Sequence, residues 1–255
     1  MEIAGKKAVI VGGASGFGKA TAEALTKRGA SVAVLDRPNS DGQKVADEIG
    51  GAFHPVDVMD FAGTEQVLAQ AVDGLGGLHI AVTTAGGGSA MRTMTKNGPH
   101  DLDIFRQVQD LNTVGTFNIS RLAAAHMSKN EPVDDEGEER GVIINTSSIA
   151  AFEGQIGQVA YTASKAAIAG MSLTMARDLG SLGIRVLAIA PSLFATGLTA
   201  GIPEDMAANL TKDAAFPRRL GRPEEYAKLA LAIVENPMLN GQCIRLDAGQ
   251  RFAPK

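Results

Sequence analysis

The sequence lacks the residue patterns that mark several classes of protein. It has a single cysteine, Cys243, which excludes an internal disulfide framework and suits a reducing compartment. No stretch approaches the roughly 18 to 20 consecutive apolar residues of a membrane-spanning helix. The histidines are few and lie in different predicted elements without the spacing of metal ligands, so we predict no metal site.

An excess of basic residues is also missing. Lys and Arg together number 24 against 28 Asp and Glu, which gives a formal net charge of -4. Because this charge repels a phosphate backbone, nucleic-acid binding is not expected to be the main function. Residues 1–6 are too short for a secretory signal before the first apolar run begins at Ala8. We therefore expect a cytoplasmic protein, or in a eukaryote one of the mitochondrial matrix, without a membrane partner.

Short apolar runs alternate with longer segments of helical spacing. The chain has 255 residues, of which 45% are hydrophobic, so it can form a full α/β core. The predicted strands are Ala8–Val11, Ser31–Leu35, Ala52–Val56, Leu78–Val82, Val142–Asn145, Ile184–Ile189 and Cys243–Leu246. The predicted helices are Phe17–Arg28, Phe61–Val72, Leu102–Met127, Tyr161–Leu179 and Pro223–Val234. The alternation predicts a single α/β domain over residues 1–255: a Rossmann-like, doubly wound parallel sheet of about seven strands, with helices on both faces.

Two segments do not follow this alternation. Lys129–Arg140 is rich in Asp and Glu, and we interpret it as a solvated surface insertion. Residues 192–222 mix Gly, Pro and apolar residues over a length too great for an ordinary connection. Because they follow the sixth predicted strand, we predict that they form a substrate lid. The alternative is a peripheral helical excursion with packing duties only.

A glycine-rich loop, Gly12–Gly18, connects the first predicted strand to the first predicted helix. Glycines allow positive φ and close approach of the backbone, and the start of a helix offers free N–H groups to a pyrophosphate. Asp36 ends the next strand, 18 residues after Gly18, where a carboxylate can bind the ribose hydroxyls of NAD and repel the 2′-phosphate of NADP. Asp57 ends the third strand near the expected adenine position, with a role in a turn or helix cap as the alternative.

Four polar residues predict a proton-transfer site. Tyr161 and Lys165 are four residues apart on a predicted helix and therefore share a face. A tyrosine has an ordinary pKa near 10, and we expect the neighbouring ammonium to lower it. Ser148 ends the fifth strand, where its hydroxyl could hold a substrate oxygen, and Asn112 could support the lysine through its amide or a water. A Tyr161 phenol of lowered pKa beside a hydride acceptor would take the proton of an alcohol.

These motifs resemble those of the classical short-chain dehydrogenase/reductase family along essentially the whole chain. The glycine loop is similar to the family's Gly-x-x-x-Gly-x-Gly at Gly12, Gly16 and Gly18. The family's catalytic tetrad falls at Asn112, Ser148, Tyr161 and Lys165, with Tyr161 as the acid/base. Two segments depart from the family pattern: Thr83–Gly86 reads Thr-Thr-Ala-Gly where the family has Asn-Asn-Ala-Gly, and a serine follows Pro191 where the family has glycine.

The resemblance also implies the cofactor and the residues that bind it. Asp36 matches the family's NAD-selecting acidic position, Lys165 its ligand to the nicotinamide ribose, and Thr196 its contact to the carboxamide. The full set of cofactor contacts that we expect is Gly12, Ser15, Gly16, Phe17, Gly18, Asp36, Asp57, Val58, Ala85, Gly86, Tyr161, Lys165, Pro191, Phe194 and Thr196. The expected cofactor is therefore NAD.

Within the family, the chain is most similar to the type II 3-hydroxyacyl-CoA dehydrogenases, a subfamily also described as 17-beta-hydroxysteroid dehydrogenase type 10. Four segments carry the likeness: Asn130–Pro132, Gly141–Gln158, Phe216–Gly221 and Glu235–Pro237. The resemblance implies NAD-dependent interconversion of 3-hydroxyacyl-CoA and 3-oxoacyl-CoA. It also implies a homotetramer, with the long helices and the C-terminal segment at its interfaces.

The substrate-binding residues are expected to be Ser148, Gln155, Gln158 and Tyr161. The two glutamines lie between the serine and the tyrosine, where an amide could donate to the acyl thioester, with a solvent-facing turn as the alternative. Two other hypotheses remain. The chain could oxidise another secondary alcohol, such as a hydroxysteroid, or it could serve only as a scaffold, which the complete tetrad argues against.

Overall fold

A parallel sheet of seven strands forms the centre of the protein. The computed structural model describes residues 1–133, 138–199 and 201–254. Its strands are β1 (Lys7–Val11), β2 (Ser31–Asp36), β3 (Ala52–Pro55), β4 (Ile80–Thr83), β5 (Met94–Thr95), β6 (Gly98–Pro99), β7 (Gly141–Thr146), β8 (Ile184–Pro191) and β9 (Cys243–Leu246). The central sheet has the order β3-β2-β1-β4-β7-β8-β9, while β5 and β6 pair separately as an antiparallel hairpin. The strand order reverses between β1 and β4, which defines a doubly wound sheet.

Helices cover both faces of this sheet. They are α1 (Gly16–Lys27), α2 (Gly42–Ile49), α3 (Phe61–Leu75), α4 (Leu102–Gln109), α5 (Gly115–Met127), α6 (Val159–Leu179), α7 (Glu204–Leu210) and α8 (Pro223–Glu235). Alternate residues of β1 belong to two cores: Ala8 and Ile10 pack with α1 and α8, whereas Val9 and Val11 pack with α3, α5 and α6. Both sides of the strand are thus buried, which explains its uninterrupted apolar sequence. The predicted fold class is confirmed. No helix among the described residues is both long and apolar enough to cross a membrane.

Several elements were not predicted. Helix α2 has only eight residues, of which Gly42, Val45 and Ala46 are buried, so its apolar spacing extends over little more than two turns. The hairpin of β5 and β6 is too short to produce a strand pattern. The predicted helix over residues 102–127 is interrupted by a π-helical turn, Asp110–Val114, which is the kind of distortion often found at functional sites.

The acidic segment Lys129–Arg140 is only partly described, since residues 134–137 lie outside the described residues. The prediction that the segment is solvated is wrong at Glu139, which is 6% exposed. Its carboxylate accepts from Arg185 Nε at 2.9 Å, and Arg185 also donates to main-chain carbonyls at the end of α8. A carboxylate is tolerated in the interior because a guanidinium pairs with it there.

His79 makes the folded state sensitive to acid. Its Nδ1 accepts a hydrogen bond from the Lys7 main-chain N–H at 3.2 Å, and burial, followed by the charges of Lys6 and Lys7, lowers its pKa from 6.5. The unfolded chain therefore binds a proton on this ring more readily than the folded chain. We expect the free energy of unfolding to decrease as the pH falls below about 6.5, and His79 to add no pH dependence well above that value.

The substitution His79→Asn tests this expectation, because the amide oxygen of asparagine can accept from Lys7 but does not titrate. Urea unfolding between about pH 7.5 and about pH 5 should show a smaller loss of stability for the variant than for the wild type. The same pH dependence of the free energy of unfolding in the variant and the wild type would contradict the role of His79.

Candidate active site

One cleft opens at the carboxyl ends of β1, β4, β7 and β8. It has a volume of about 550 Å³. The residues that line it are Gly12, Ser15, Gly16, Phe17, Thr84, 86–90, 146–148, Gln158, Tyr161, Lys165, 191–194, Thr196, Gly197 and Thr199. In a parallel sheet the loops after these strands converge on one edge, so side chains far apart in the sequence meet there.

The glycine loop forms one wall of the cleft. Gly12 and Gly16 have φ values of 81° and 48°, which side chains with a Cβ rarely adopt. Gly18 lies in α1 and does not have a positive φ, but it has no space for a side chain: a Cβ there would lie 2.7 Å from the Gly12 carbonyl carbon and 2.8 Å from Gly13 Cα. The glycines are therefore required for two different reasons, backbone conformation at the first two positions and close packing of the loop on itself at Gly18.

The start of α1 suits an anionic group. The Ser15 side chain makes no capping hydrogen bond and the first turn carries no acidic residue. The first N–H groups of the helix, together with the positive end of its dipole, therefore face the cleft uncompensated. Gly12 also has no room for a Cβ, because Ala85 N would lie 2.5 Å away. A backbone cradle of this shape fits the pyrophosphate of a dinucleotide.

Asp36 lies beside the glycine loop rather than in the lining of the cleft. Its Oδ2 accepts from Ala14 N at 2.9 Å, and its Oδ1 accepts from Arg37 N at 2.7 Å. Two main-chain donors thus hold the carboxylate at the end of β2 in an orientation set by the loop. This is the place where a carboxylate can meet an adenosine ribose.

The remaining expected cofactor contacts are distributed around the same edge. Asp57 Oδ1 accepts from Met59 N at 3.0 Å, which is the turn role left open as the alternative for this residue. Val58 packs against the core under α3 and α5. Ala85 N donates to Val11 O at 3.1 Å and so joins β4 to the start of the glycine loop. Gly86, Pro191, Phe194 and Thr196 line the cleft.

Tyr161, Lys165 and Ser148 come together on the opposite wall. Tyr161 and Lys165 share one face of α6, and Lys165 Nζ lies 5.7 Å from the centroid of the Tyr161 ring. Ser148, just after β7, lies beside the Tyr161 phenol, and its Oγ accepts from Ala150 N at 3.1 Å. All three side chains line the cleft, as the sequence predicts.

The expected electrostatic effect of Lys165 on Tyr161 is not found. Burial raises the pKa of the Tyr161 phenol, and the hydrogen bond from Ser148 lowers that pKa by less than burial raises it. Burial also lowers the pKa of Lys165 to about 8, since its side chain is only 4% exposed. The ammonium is itself desolvated and its Nζ donates to Thr146 O at 2.8 Å, so the phenol is the stable form of Tyr161 at neutral pH.

Asn112 does not support Lys165 through its side-chain amide. Its Oδ1 accepts from Gly87 N at 3.0 Å, and its Nδ2 donates to Gly87 O at 2.7 Å and to Ser164 Oγ at 3.0 Å. Asn112 lies in the π-helical turn, and its side chain is directed toward the loop after β4. Asn112 therefore holds the backbone of one wall of the cleft against α6.

Only one of the two glutamines predicted to bind substrate lies in the cleft. Gln158 lines it beside Tyr161. Gln155 is turned away, and its Nε2 donates to Ala253 O at 3.1 Å. The C-terminal segment, remote in sequence, thus occupies the amide that was expected to face the substrate.

The structure adds residues that the sequence did not identify. Residues 87–90 form a wall of the cleft. Ser164 Oγ accepts from Asn112 and donates to Tyr161 O at 2.8 Å. Thr84 Oγ1 donates to Val11 O or Gly12 O, so the threonine braces β4 against β1 where the family pattern has an asparagine. The threonine in place of the family's asparagine was the sequence feature that could have identified Thr84 as a residue of the site.

The segment 192–222 contributes its first part to the cleft. Phe194 is buried and packs edge-on against Phe17, with ring centroids 5.1 Å apart. Thr196 packs near Gly16, where a Cβ would lie 3.0 Å from its methyl group. Helix α7 lies outside the lining, and its Met206 is 52% exposed.

The comparisons identify the class of protein. A family model described as short chain dehydrogenase matches residues 6–207, and the chain belongs to this family of oxidoreductases. It is 50% identical over 250 residues to the 3-hydroxyacyl-CoA dehydrogenase type-2 of Drosophila melanogaster, covering 96% of this chain and 97% of the relative. The family predicted from the glycine loop and the tetrad is confirmed.

Solved structures agree with this placement. The crystal structure of 3-hydroxyacyl-CoA dehydrogenase type-2 from Mycobacterium avium matches with a TM-score of 0.93 at 39% identity, over 98% of each chain. A 7 alpha-hydroxysteroid dehydrogenase, solved with NADH and 7-oxo glycochenodeoxycholic acid, matches with a TM-score of 0.85 at 30% identity, over 98% of this chain and 95% of the other.

Proposed function

We propose that the protein is an NAD-dependent 3-hydroxyacyl-CoA dehydrogenase. The observation that carries the proposal is the cluster of Ser148, Tyr161 and Lys165 facing a backbone cradle for a dinucleotide in one cleft. The similarity over nearly the whole chain to relatives named 3-hydroxyacyl-CoA dehydrogenase type-2 supplies the substrate.

Tyr161 is the proton donor and acceptor in this proposal. In the reducing direction its phenol donates a proton to the 3-oxo oxygen, and in the oxidising direction the phenolate takes the proton of the 3-hydroxyl. Ser148 Oγ holds the same substrate oxygen. When bound, the nicotinamide supplies or accepts the hydride at the carbon. Because burial keeps the phenol protonated at neutral pH, the side chain is prepared to act as an acid without a prior change of protonation state.

Lys165 and Asn112 have supporting roles. Lys165 Nζ is held by the Thr146 carbonyl in the cleft, where its ammonium would bind the nicotinamide ribose. Asn112 fixes the loop after β4 through both polar groups of Gly87. Gln158 is the residue of this chain that we place against the thioester.

NAD rather than NADP is the proposed cofactor. The Asp36 carboxylate is held by main-chain donors at the end of β2, so it cannot turn away to make room for a 2′-phosphate. A second negative charge at that position would be repelled at short range.

We also infer a homotetramer and a substrate lid. Helices α5 and α6 expose Phe117 and Leu173, and a cavity of about 350 Å³ between these helices is lined mainly by apolar groups that a second copy would cover. The lid over residues 192–222 would bring the exposed Met206 toward an acyl chain. The single cysteine suits a reducing compartment such as the cytoplasm or mitochondrial matrix.

One set of steady-state measurements tests substrate and cofactor together. Acetoacetyl-CoA and a panel of oxosteroids would each be reduced with NADH and with NADPH. We expect acetoacetyl-CoA with NADH to have the highest kcat/KM, at least about tenfold above the same substrate with NADPH.

The arms of this experiment separate the two parts of the proposal. Turnover of an oxosteroid without turnover of acetoacetyl-CoA would contradict the proposed substrate but not the proposed role of Tyr161 in proton transfer. A higher kcat/KM with NADPH would contradict the role given to Asp36.

A further inference from the structure

A turn at the end of β9 contacts two segments whose other residues line the cleft. We call Arg245, Asp247, Ala248 and Gln250 the C-terminal clamp. None of these four residues lines the cleft. They nevertheless contact residues 210–216 of the segment 192–222 and Glu153 in the loop that runs from Ser148 to Tyr161.

The first set of contacts holds the segment 192–222. Gln250 is 3% exposed, and its Nε2 donates to Leu210 O, the last residue of α7, at 3.0 Å. Ala248 O accepts from Ala215 N at 2.9 Å and from Phe216 N at 3.2 Å. Ala248 has a φ of 53°, a left-handed conformation that alanine adopts at a cost, and this conformation orients the carbonyl toward both donors.

The second set of contacts holds the loop after Ser148. The Arg245 guanidinium pairs with the Glu153 carboxylate through both of its terminal nitrogens, with an Nη1–Oε2 distance of 3.0 Å. Arg245 Nε donates to Asp247 Oδ2 at 2.6 Å, and Nη2 also donates to Gln250 O at 3.1 Å. All the nitrogens of one guanidinium are thus engaged between the loop and the turn, which gives a fixed geometry as well as attraction.

We propose that the C-terminal clamp fixes the positions of residues 210–216 and of the loop after Ser148 relative to each other, and thereby sets the affinity for the acyl-CoA. The clamp contacts neither the glycine loop nor Asp36, and in the segment 192–222 it holds residues 210–216 rather than the expected cofactor contacts Phe194 and Thr196, so the affinity for NAD does not depend on the clamp. Tyr161 and Lys165 are held by α6 and β7, so the chemical step does not depend on it either. This inference rests on the proposed function for the identity of the substrate.

The physical reason is the entropy of the lid. With the clamp intact, residues 210–216 are already fixed before substrate arrives. Without it, the segment has more conformations in the free enzyme, and substrate binding must bear the cost of ordering it. The effect should therefore appear in KM for the acyl-CoA and not in kcat.

The variants Gln250→Leu and Arg245→Met test the clamp, with Gln43→Leu as the matched control because Gln43 is exposed on α2. We expect KM for acetoacetyl-CoA to rise about tenfold in each clamp variant, with kcat and the Kd for NADH within about twofold of the wild type. Arg245→Lys, which keeps the charge but not the paired geometry, should fall between Arg245→Met and the wild type. Hydrogen exchange of residues 210–216 should be faster in Gln250→Leu and unchanged in the control.

An unchanged KM for Gln250→Leu would overturn the proposal, and so would a loss of NADH affinity as large as the rise in KM. Hydrogen exchange at residues 210–216 that is no faster in this variant than in the wild type would overturn it independently of any substrate. If Arg245→Met fails to fold, the KM values of Gln250→Leu and Arg245→Lys still test the proposal. If the wild type reduces an oxosteroid and not acetoacetyl-CoA, the proposed function fails, while the same KM comparison on that steroid tests the clamp.

Discussion

The substitution Tyr161→Phe is expected to lower kcat/KM for the reduction of acetoacetyl-CoA by about a thousandfold or more. The variant keeps the aromatic ring that lies beside Lys165 and removes only the hydroxyl. Ser148 is the hydroxyl next to it, and an aliphatic alcohol is too weak an acid to replace a phenol. Because the glycine loop and Asp36 are unaffected, the Kd for NADH, measured by fluorescence titration, should stay within about twofold of the wild type.

The second tyrosine of the chain is the control for this experiment. Tyr226 is fully buried in α8 and does not line the cleft. Its hydroxyl hydrogen bonds at 2.7 Å with Oγ1 of Thr146, which does line the cleft. Tyr226→Phe should cost about 1 kcal/mol of stability and leave most of the turnover. A Tyr161→Phe variant with turnover close to that of Tyr226→Phe would refute the role of Tyr161 as acid and base.

The substitution Gly18→Ala is expected to weaken NADH binding by about tenfold to about a hundredfold. The added methyl group would lie within 3 Å of main-chain atoms of Gly12 and Gly13, which cannot rotate away as a flexible side chain would. Overpacking of this kind costs about 1–3 kcal/mol, and about 1.4 kcal/mol corresponds to a tenfold change in a binding constant. The displacement of the loop would move the N–H groups that face the pyrophosphate.

Gly74→Ala is the matched control. Gly74 lies in α3, and a Cβ there would have no atom within 4 Å. The control should raise the free energy of unfolding by about 0.5–1 kcal/mol, because alanine suits a helix better than glycine, and NADH binding should not change. If Gly18→Ala binds NADH as well as Gly74→Ala does, the close packing of the glycine loop is not required for the cofactor.

The secondary structure was predictable where an element is long or buried on both faces. The seven strands of the central sheet were found because each is an apolar run bounded by turns or helices, and both faces of the sheet are covered. Helix α2 and the β5–β6 hairpin were missed because they are short: α2 has eight residues and each strand of the hairpin has two.

The candidate site was predictable where it depends on spacing along one element. Tyr161 and Lys165 share a face because they are four residues apart on α6, and that relation holds in any helix. Asp36 ends its strand and Gly12–Gly18 joins a strand to a helix, so the order of elements alone places them near each other. The contact of Gln155 with Ala253 was not predictable, because the two residues are 98 positions apart in the chain.

By itself, the sequence determined the parallel fold, the dinucleotide loop and the identity of the polar groups at the end of β7 and on α6, since these follow from local patterns. Only the tertiary structure decided how those groups behave. It placed Asn112 on Gly87, buried Glu139 against Arg185, and raised the pKa of Tyr161 by removing water from the phenol. Solvation and hydrogen-bond partners depend on which distant segments pack around a group, and that arrangement is not encoded in the spacing of nearby residues.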